Sequence, residues 1–242
     1  MSSSSAKVAR ITATFAAPPA VLLGLVGWVA GGVIAGVVVF VVVSAALSWW
    51  VLTGGDRRVA AALSALGGRD ADPVRDARLA NLVEGLSSTA GVRQPRLVVV
   101  DAAGLNVLAA GTSGNKAVVA VTSGLLGELE LTELEAVLAE ALVQIRRGDT
   151  VAPTMTVATF GLGGKHAVPW DRDAIADQAA VTLTRYPPAL ASALEKVEAK
   201  GWEVPGQPAY LAVLWMADPR PGVLHDSGRL PLRERIEALR EL

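Results

Sequence analysis

The chain has 242 residues, with 22 Lys and Arg against 23 Asp and Glu, so its near-neutral balance offers no basic field for nucleic-acid phosphates. It has no cysteine, which excludes disulfides, thiolate zinc sites, iron–sulfur clusters and cysteine nucleophiles. Only two histidines, His166 and His225, are available for metal or acid–base chemistry.

The charge is unevenly spread. Residues 11–55 form 45 consecutive positions without a charged side chain. The remainder carries an ordinary share of charge for a water-soluble domain. A spanning helix needs about 20 apolar residues. The stretch therefore predicts a transmembrane hairpin with spans at residues 11–30 and 33–52 and a turn at Gly31-Gly32. Pro18-Pro19 weakens the first span. A single span over residues 21–47 is the alternative. Lys7 and Arg10 precede the stretch and Arg57 and Arg58 follow it, which predicts both ends in the cytoplasm. Trp49 and Trp50 sit where an interfacial aromatic anchor belongs. A cleaved secretory signal is the competing reading, but it calls for a shorter apolar core followed by a cleavage site. The organisation read here is a cytoplasmic N-terminus at 1–10, the hairpin at 11–52 and a soluble domain at 53–242.

Residues 56–72 read as a mixed connector, helical over 59–66 and ended by Gly67-Gly68. Leu79, Leu82, Val83 and Leu86 recur at helical spacing, predicting a helix over 73–90 that begins at Pro73 and closes at Gly91. The β-branched run at 96–100 predicts a buried strand. Residues 106–110 and 117–122 predict two more strands around the turn Gly111-Thr-Ser-Gly114. The strongest helix is 131–147, where Leu131, Leu134, Val137, Leu138, Ala141, Leu142 and Ile145 follow the 3.6-residue period. Thr132 with Glu135 forms a candidate capping box, and Gly148 a C-terminal stop. Residues 151–162 are apolar but too short to span a bilayer. Residues 172–200 read as helical apart from Pro187-Pro188, with a new helix from Ala189, and 231–242 as a last amphipathic helix. Trp202 and Trp215 read as packing residues beneath the last helices. The fold class is α+β, a membrane hairpin leading into a mainly helical domain with a small sheet.

No phosphate loop, nucleophile elbow or dinucleotide fingerprint is present. The informative segment is 131–150, LTELEAVLAEALVQIRRGDT. It resembles the active-site helix of the M48 peptidases, the membrane zinc proteases of the HtpX type. In that family the helix carries HExxH. Two His at i and i+4 on one face hold zinc, and the Glu serves as general base for a zinc-bound water. The two-span N-terminus is also similar to that family's. Asn106, Val107, Leu108, Ala109, Ala110 and Gly111 resemble the family's substrate-pairing strand, and 117–126 the strand and loop that follow it. Residues 172–177, RDAIAD, look like the later segment that supplies the third zinc ligand, and 232–239 like the C-terminal helix. The resemblance implies a zincin-like fold for 53–242.

The same resemblance places Glu140 and Gln144 where the two histidines stand, Ala141 at the general base and Asp173 at the third ligand. Glu140 and Gln144 are poor zinc donors, and Ala141 cannot accept a proton. The expectation that follows is a catalytically inactive, membrane-anchored M48-like protein without zinc, binding or regulating a membrane or cytoplasmic protein partner. Asp149 and Asp177 are expected to be structural polar residues. Asn106 to Gly111 are either a peptide-binding edge strand or plain core. Two alternatives stand beside this reading. One is an active metalloendopeptidase whose site is rebuilt from His166, His225, Asp173 or Glu140, and the other is a structural membrane subunit. The expected setting is a bacterial inner membrane, with the lipid bilayer and a protein or peptide as partners and no nucleic acid.

Overall fold

The computed structural model describes residues 3–162, 169–220 and 229–242. It begins with one long helix, α1 (Ser3–Ala65), which breaks at Gly32, where φ is 80° and ψ −179°. Glycine takes this left-handed conformation without steric cost. The break reverses the chain. A Cβ placed on Gly24 would lie 3.1 Å from the Phe40 Cβ, and the Phe15 and Trp50 rings stack at 5.6 Å. Gly24, Gly27 and Gly36 are small enough for the two limbs to touch. Val29, Ile34, Val42 and Trp49 lie on the outside of the limbs and are largely exposed. The helix passes through Pro18-Pro19 unbroken.

The second limb differs from the sequence expectation in its length. It continues past the apolar stretch to Ala65, so residues 56–65 are a continuous helical extension of the limb and not a mixed connector. Asp56 on this extension binds the Thr112 backbone N–H at 2.9 Å and its hydroxyl at 2.6 Å. Val59, Ala62 and Leu63 enter the domain core.

The sheet has the order β1-β2-β4-β3, from β1 (Arg69–Asp70), β2 (Arg96–Val100), β3 (Val107–Ala110) and β4 (Val118–Thr122). β2 and β4 run parallel, from Arg96 opposite Val118 to Val100 opposite Thr122. The β1–β2 and β3–β4 pairs are antiparallel. Side chains alternate across a strand, and both faces of this sheet are covered. Val99, Val107, Ala109, Val119 and Val121 face a core built on α2 (Ala77–Ala90), α4 (Leu131–Arg147) and α7 (Pro187–Lys200). Val98, Val100, Leu108 and Ala120 face Val59, Leu63, Val157 and Trp215. This explains the unbroken β-branched runs in the sequence.

α3 (Ser123–Glu128) leads into α4, and α5 (Val151–Ala158) crosses the second limb. Gly55 makes that crossing close, because a Cβ there would land on the Thr154 carbonyl oxygen. α6 (Arg172–Thr184), α7, a 3-10 turn (Ala209–Leu214) and α8 (Leu232–Arg240) complete the domain. Two helix starts and one helix cap depart from expectation. α2 begins at Ala77, since the Asp72 carboxylate accepts from Val74 and Arg75 N–H, both at 2.8 Å, and holds 73–76 as turns. α4 is capped by Glu130 and Glu133, whose carboxylate accepts the Glu130 N–H at 2.7 Å, in place of Thr132 and Glu135. α7 starts at Pro187, because proline suits the first helical positions.

Candidate functional site

Glu140, Ala141 and Gln144 lie on the buried face of α4. Opposite them stand α6, bearing Arg172, Asp173 and Asp177, and α8, bearing Arg235. Glu140 and Gln144 are one helical turn apart, and the Gln144 amide donates to Glu140 Oε1 at 3.2 Å. Arg235 is fully enclosed. Its Nη2 donates to the same Glu140 oxygen at 3.0 Å, and Nε and Nη2 grip Asp177 bidentately at 2.7 and 2.6 Å. One guanidinium thus ties α4, α6 and α8 together.

Asp173 is held by two other arginines. Arg172 donates to its Oδ1 at 3.0 Å and Arg229 to its Oδ2 at 2.8 Å. Arg229 also donates to the Trp215 and Met216 carbonyl oxygens, both at 2.7 Å. The cluster contains three carboxylates, Glu140, Asp173 and Asp177, and three guanidinium groups, Arg172, Arg229 and Arg235. Buried charges persist where they are paired in this manner.

The environments of the acids differ. Burial pushes the Glu140 carboxyl up to about 7, against the pull of Arg235. Burial acts on Asp173 too, but Arg229, Arg172 and Arg235 together outweigh it and hold that carboxyl well below the usual range. Burial acts against the Arg235 charge, yet Asp177 and Glu140 keep its affinity for a proton well above the ordinary arginine value. Glu140 Oε2 has no hydrogen-bond partner among the described residues.

The zinc implied by the resemblance needs imidazole or thiolate donors, or free carboxylate oxygens. Here Glu140 Oε1 already accepts from Arg235 and Gln144 and both Asp173 oxygens face guanidinium groups, which leaves Glu140 Oε2 as the one carboxylate oxygen of these two residues without a partner among the described residues. A single free oxygen among guanidinium groups falls short of the three or four donors zinc takes, so Glu140, Gln144 and Asp173 as arranged do not fit the ion. His166 and His225, on which the rebuilt-site alternative rests, lie outside the described residues.

The remaining expected site residues fall in two places. Asp149 follows α4 at the surface and accepts from Arg147 at 2.8 Å. Asn106 to Gly111 form β3 and its two ends, and all six are buried. The outer side of this strand faces the protein itself. Met216 N–H donates to the Val107 carbonyl at 2.7 Å, Leu108 bridges to Trp215, and Gly111 exchanges hydrogen bonds with the Thr154 and Thr150 hydroxyls at 2.9 Å each. Asn106 spends its whole side chain here, donating to the Trp202 and Ala217 carbonyls at 2.9 Å and accepting from Val107 and Ala217 N–H.

Curated relatives match along most of this fold. "Protease HtpX homolog" of Acidiphilium cryptum is 30% identical, and the match covers 81% of this chain and 82% of the relative. The protein of the same name in Tropheryma whipplei is 31% identical over 68% of this chain and 72% of its own length. That of Dictyoglomus thermophilum is 32% identical over 67% and 68%. The chain belongs to the HtpX protease family. No family model matches it.

Membership corrects one expectation. The chain was expected to be no enzyme, on the ground that Glu140, Ala141, Gln144 and Asp173 replace the motif residues. The HtpX relatives are named as proteases, and a substitution pattern is not a loss of activity. What the sequence reading missed in this HtpX-family chain is Arg229 and Arg235, and the role of Arg172. The available signal was charge balance: carboxylates at 140, 173 and 177 on buried helix faces require cations.

Proposed function

We propose that this HtpX-family chain is a membrane-anchored protein whose domain takes polypeptide chains as its ligands. Membrane or cytoplasmic proteins would supply them, and cleavage is the outcome that the relatives' name suggests. The observation that carries this is the extent of the match, which covers 81% of the chain. The anchor supports the setting. The apolar helix has a window of mean hydropathy 2.6 that is only 6% buried, an exposed apolar surface of the kind that marks a membrane or partner contact. The two limbs, reversing at Gly32, cross the bilayer twice. Lys7 and Arg10 before the apolar stretch and Arg57 and Arg58 after it support a reading in which both ends and the domain lie on the cytoplasmic side of a bacterial inner membrane.

The test uses the full chain in lipid vesicles with an unstructured, fluorescently labelled polypeptide carrying a photo-crosslinker. Release of fragments that grows with protein concentration establishes a peptidase. Crosslinking without fragments establishes polypeptide binding. Neither signal, from chain shown to be folded, overturns the proposal. Repeating the assay with a chelator shows whether a metal takes part.

A further inference from the structure

The surface where α5 ends is apolar. Its last turn, 159–162, carries Phe160 and Leu162, which are 60% and 65% exposed. No charged side chain occurs from Thr150 to Leu162. Phe160 holds φ at 52°, the left-handed region that a bulky residue seldom adopts, and its half-exposed ring meets Tyr210 edge-on with centroids 5.8 Å apart. The backbone donors of the turn are satisfied from within. The N–H groups of Thr159, Phe160, Gly161 and Leu162 donate to Thr156, Val157, Thr156 and Thr159 carbonyls at 2.8 to 3.2 Å. The Thr159 hydroxyl lies 2.9 Å from both the Thr156 and Leu162 carbonyl oxygens and its one hydrogen serves either. Such closure, common at helix ends, also meets the need of a turn that touches lipid for internally bonded N–H groups.

This turn adjoins the point where α1 leaves its apolar stretch. The Arg58 guanidinium lies 4.1 Å from the Trp50 ring centre and 4.5 Å from that of Phe160, and it also donates to the Ala158 carbonyl. Trp49, beside Trp50, is 71% exposed. Trp, Phe and an arginine whose stem lies along them are the groups that favour the boundary between lipid chains and headgroups.

We propose that the turn 159–162 rests in the interfacial layer of the bilayer beside Trp49 and Trp50, with Phe160 and Leu162 dipping into lipid, so that the domain sits on the membrane surface. This rests on the membrane-anchor reading above. Continuity with the exposed apolar limb of α1 selects lipid as the occupant over a second copy of the chain.

The chain has no native cysteine, so single-cysteine variants can be spin-labelled cleanly. The full chain in vesicles of phosphatidylcholine and phosphatidylglycerol is labelled at L162C, at V41C within the apolar limb, and at V74C in the exposed turn before α2. Collision rates are then measured with oxygen, which enters lipid, and with a water-soluble nickel chelate. The expected oxygen-to-nickel ratio at L162C is several-fold above that at V74C, and F160S lowers it toward the V74C value. A ratio at L162C equal to that at V74C, with V41C remaining high, overturns the seat while the anchor stands. A low ratio at V41C as well overturns the membrane reading itself. Dipolar broadening at L162C that vanishes on dilution with unlabelled protein shows that a second copy covers the turn, and overturns lipid as the occupant.

Discussion

Replacing Arg235 by methionine keeps much of the side-chain volume and removes the cation that α4, α6 and α8 share. Glu140 and Asp177, 1% and 4% exposed at their side chains, then keep only Gln144 and the more distant guanidinium groups of Arg172 and Arg229. Removing one partner of a buried ion pair costs about 3–5 kcal/mol, because the other charge stays buried without compensation. Part of this is recovered at Glu140, which holds a proton readily near neutral pH. The lower end, about 3 kcal/mol, is therefore expected. For a domain of this size each kcal/mol moves the melting temperature by about 2–4 °C, so R235M should melt roughly 10 °C below the parent. The assay is thermal unfolding of the full chain in detergent at pH 7.5, followed by tryptophan fluorescence, since Trp202 and Trp215 lie beside the cluster segment. R235M combined with E140Q and D177N should recover at least half of the loss. A shift of R235M below about 1 °C, or no recovery in the triple variant, refutes the view that this guanidinium holds the three helices.

Glu140 gives a pH signature. Its folded carboxyl binds protons more tightly than the unfolded one, so its contribution to stability falls as pH rises from about 4.5 to about 7 and then levels off. The melting temperature of E140Q relative to the parent should therefore rise by a few degrees between pH 5 and pH 8, and a flat difference contradicts the assignment. Asn106→Ala leaves the Trp202 and Ala217 carbonyls buried without their donor, costing roughly 3 kcal/mol in thermal unfolding. N106D should be no better, because a carboxylate faces both carbonyls. Gly55→Val forces α5 away from α1 at the Thr154 carbonyl, with an expected loss of about 1–3 kcal/mol and faster proteolytic cleavage within α5. Unchanged cleavage would show that α5 is held from elsewhere.

The sequence by itself determined the elements that rest on local physics. The period of Leu134, Val137, Leu138 and Leu142 fixed α4 to its exact bounds, and Gly148 stops it because glycine takes the left-handed conformation at φ 73°. The β-branched runs fixed β2 and β4, and Gly32 marked the reversal of α1. Caps were legible only where a single residue can act. Asp72 and the Glu130–Glu133 box compete with other sequence-compatible starts, and three-dimensional contacts choose among them. The polar cluster lies at the other extreme. Glu140 and Asp177 are 37 positions apart and Arg235 is 58 further on, and nothing local to any of them announces a partner. Packing α4 against α6 and α8 removed water from these acids, and only that burial made Arg172, Arg229 and Arg235 necessary. Where a charge finds its counter-charge depends on the dielectric around it, and the assembled helices alone create that surrounding.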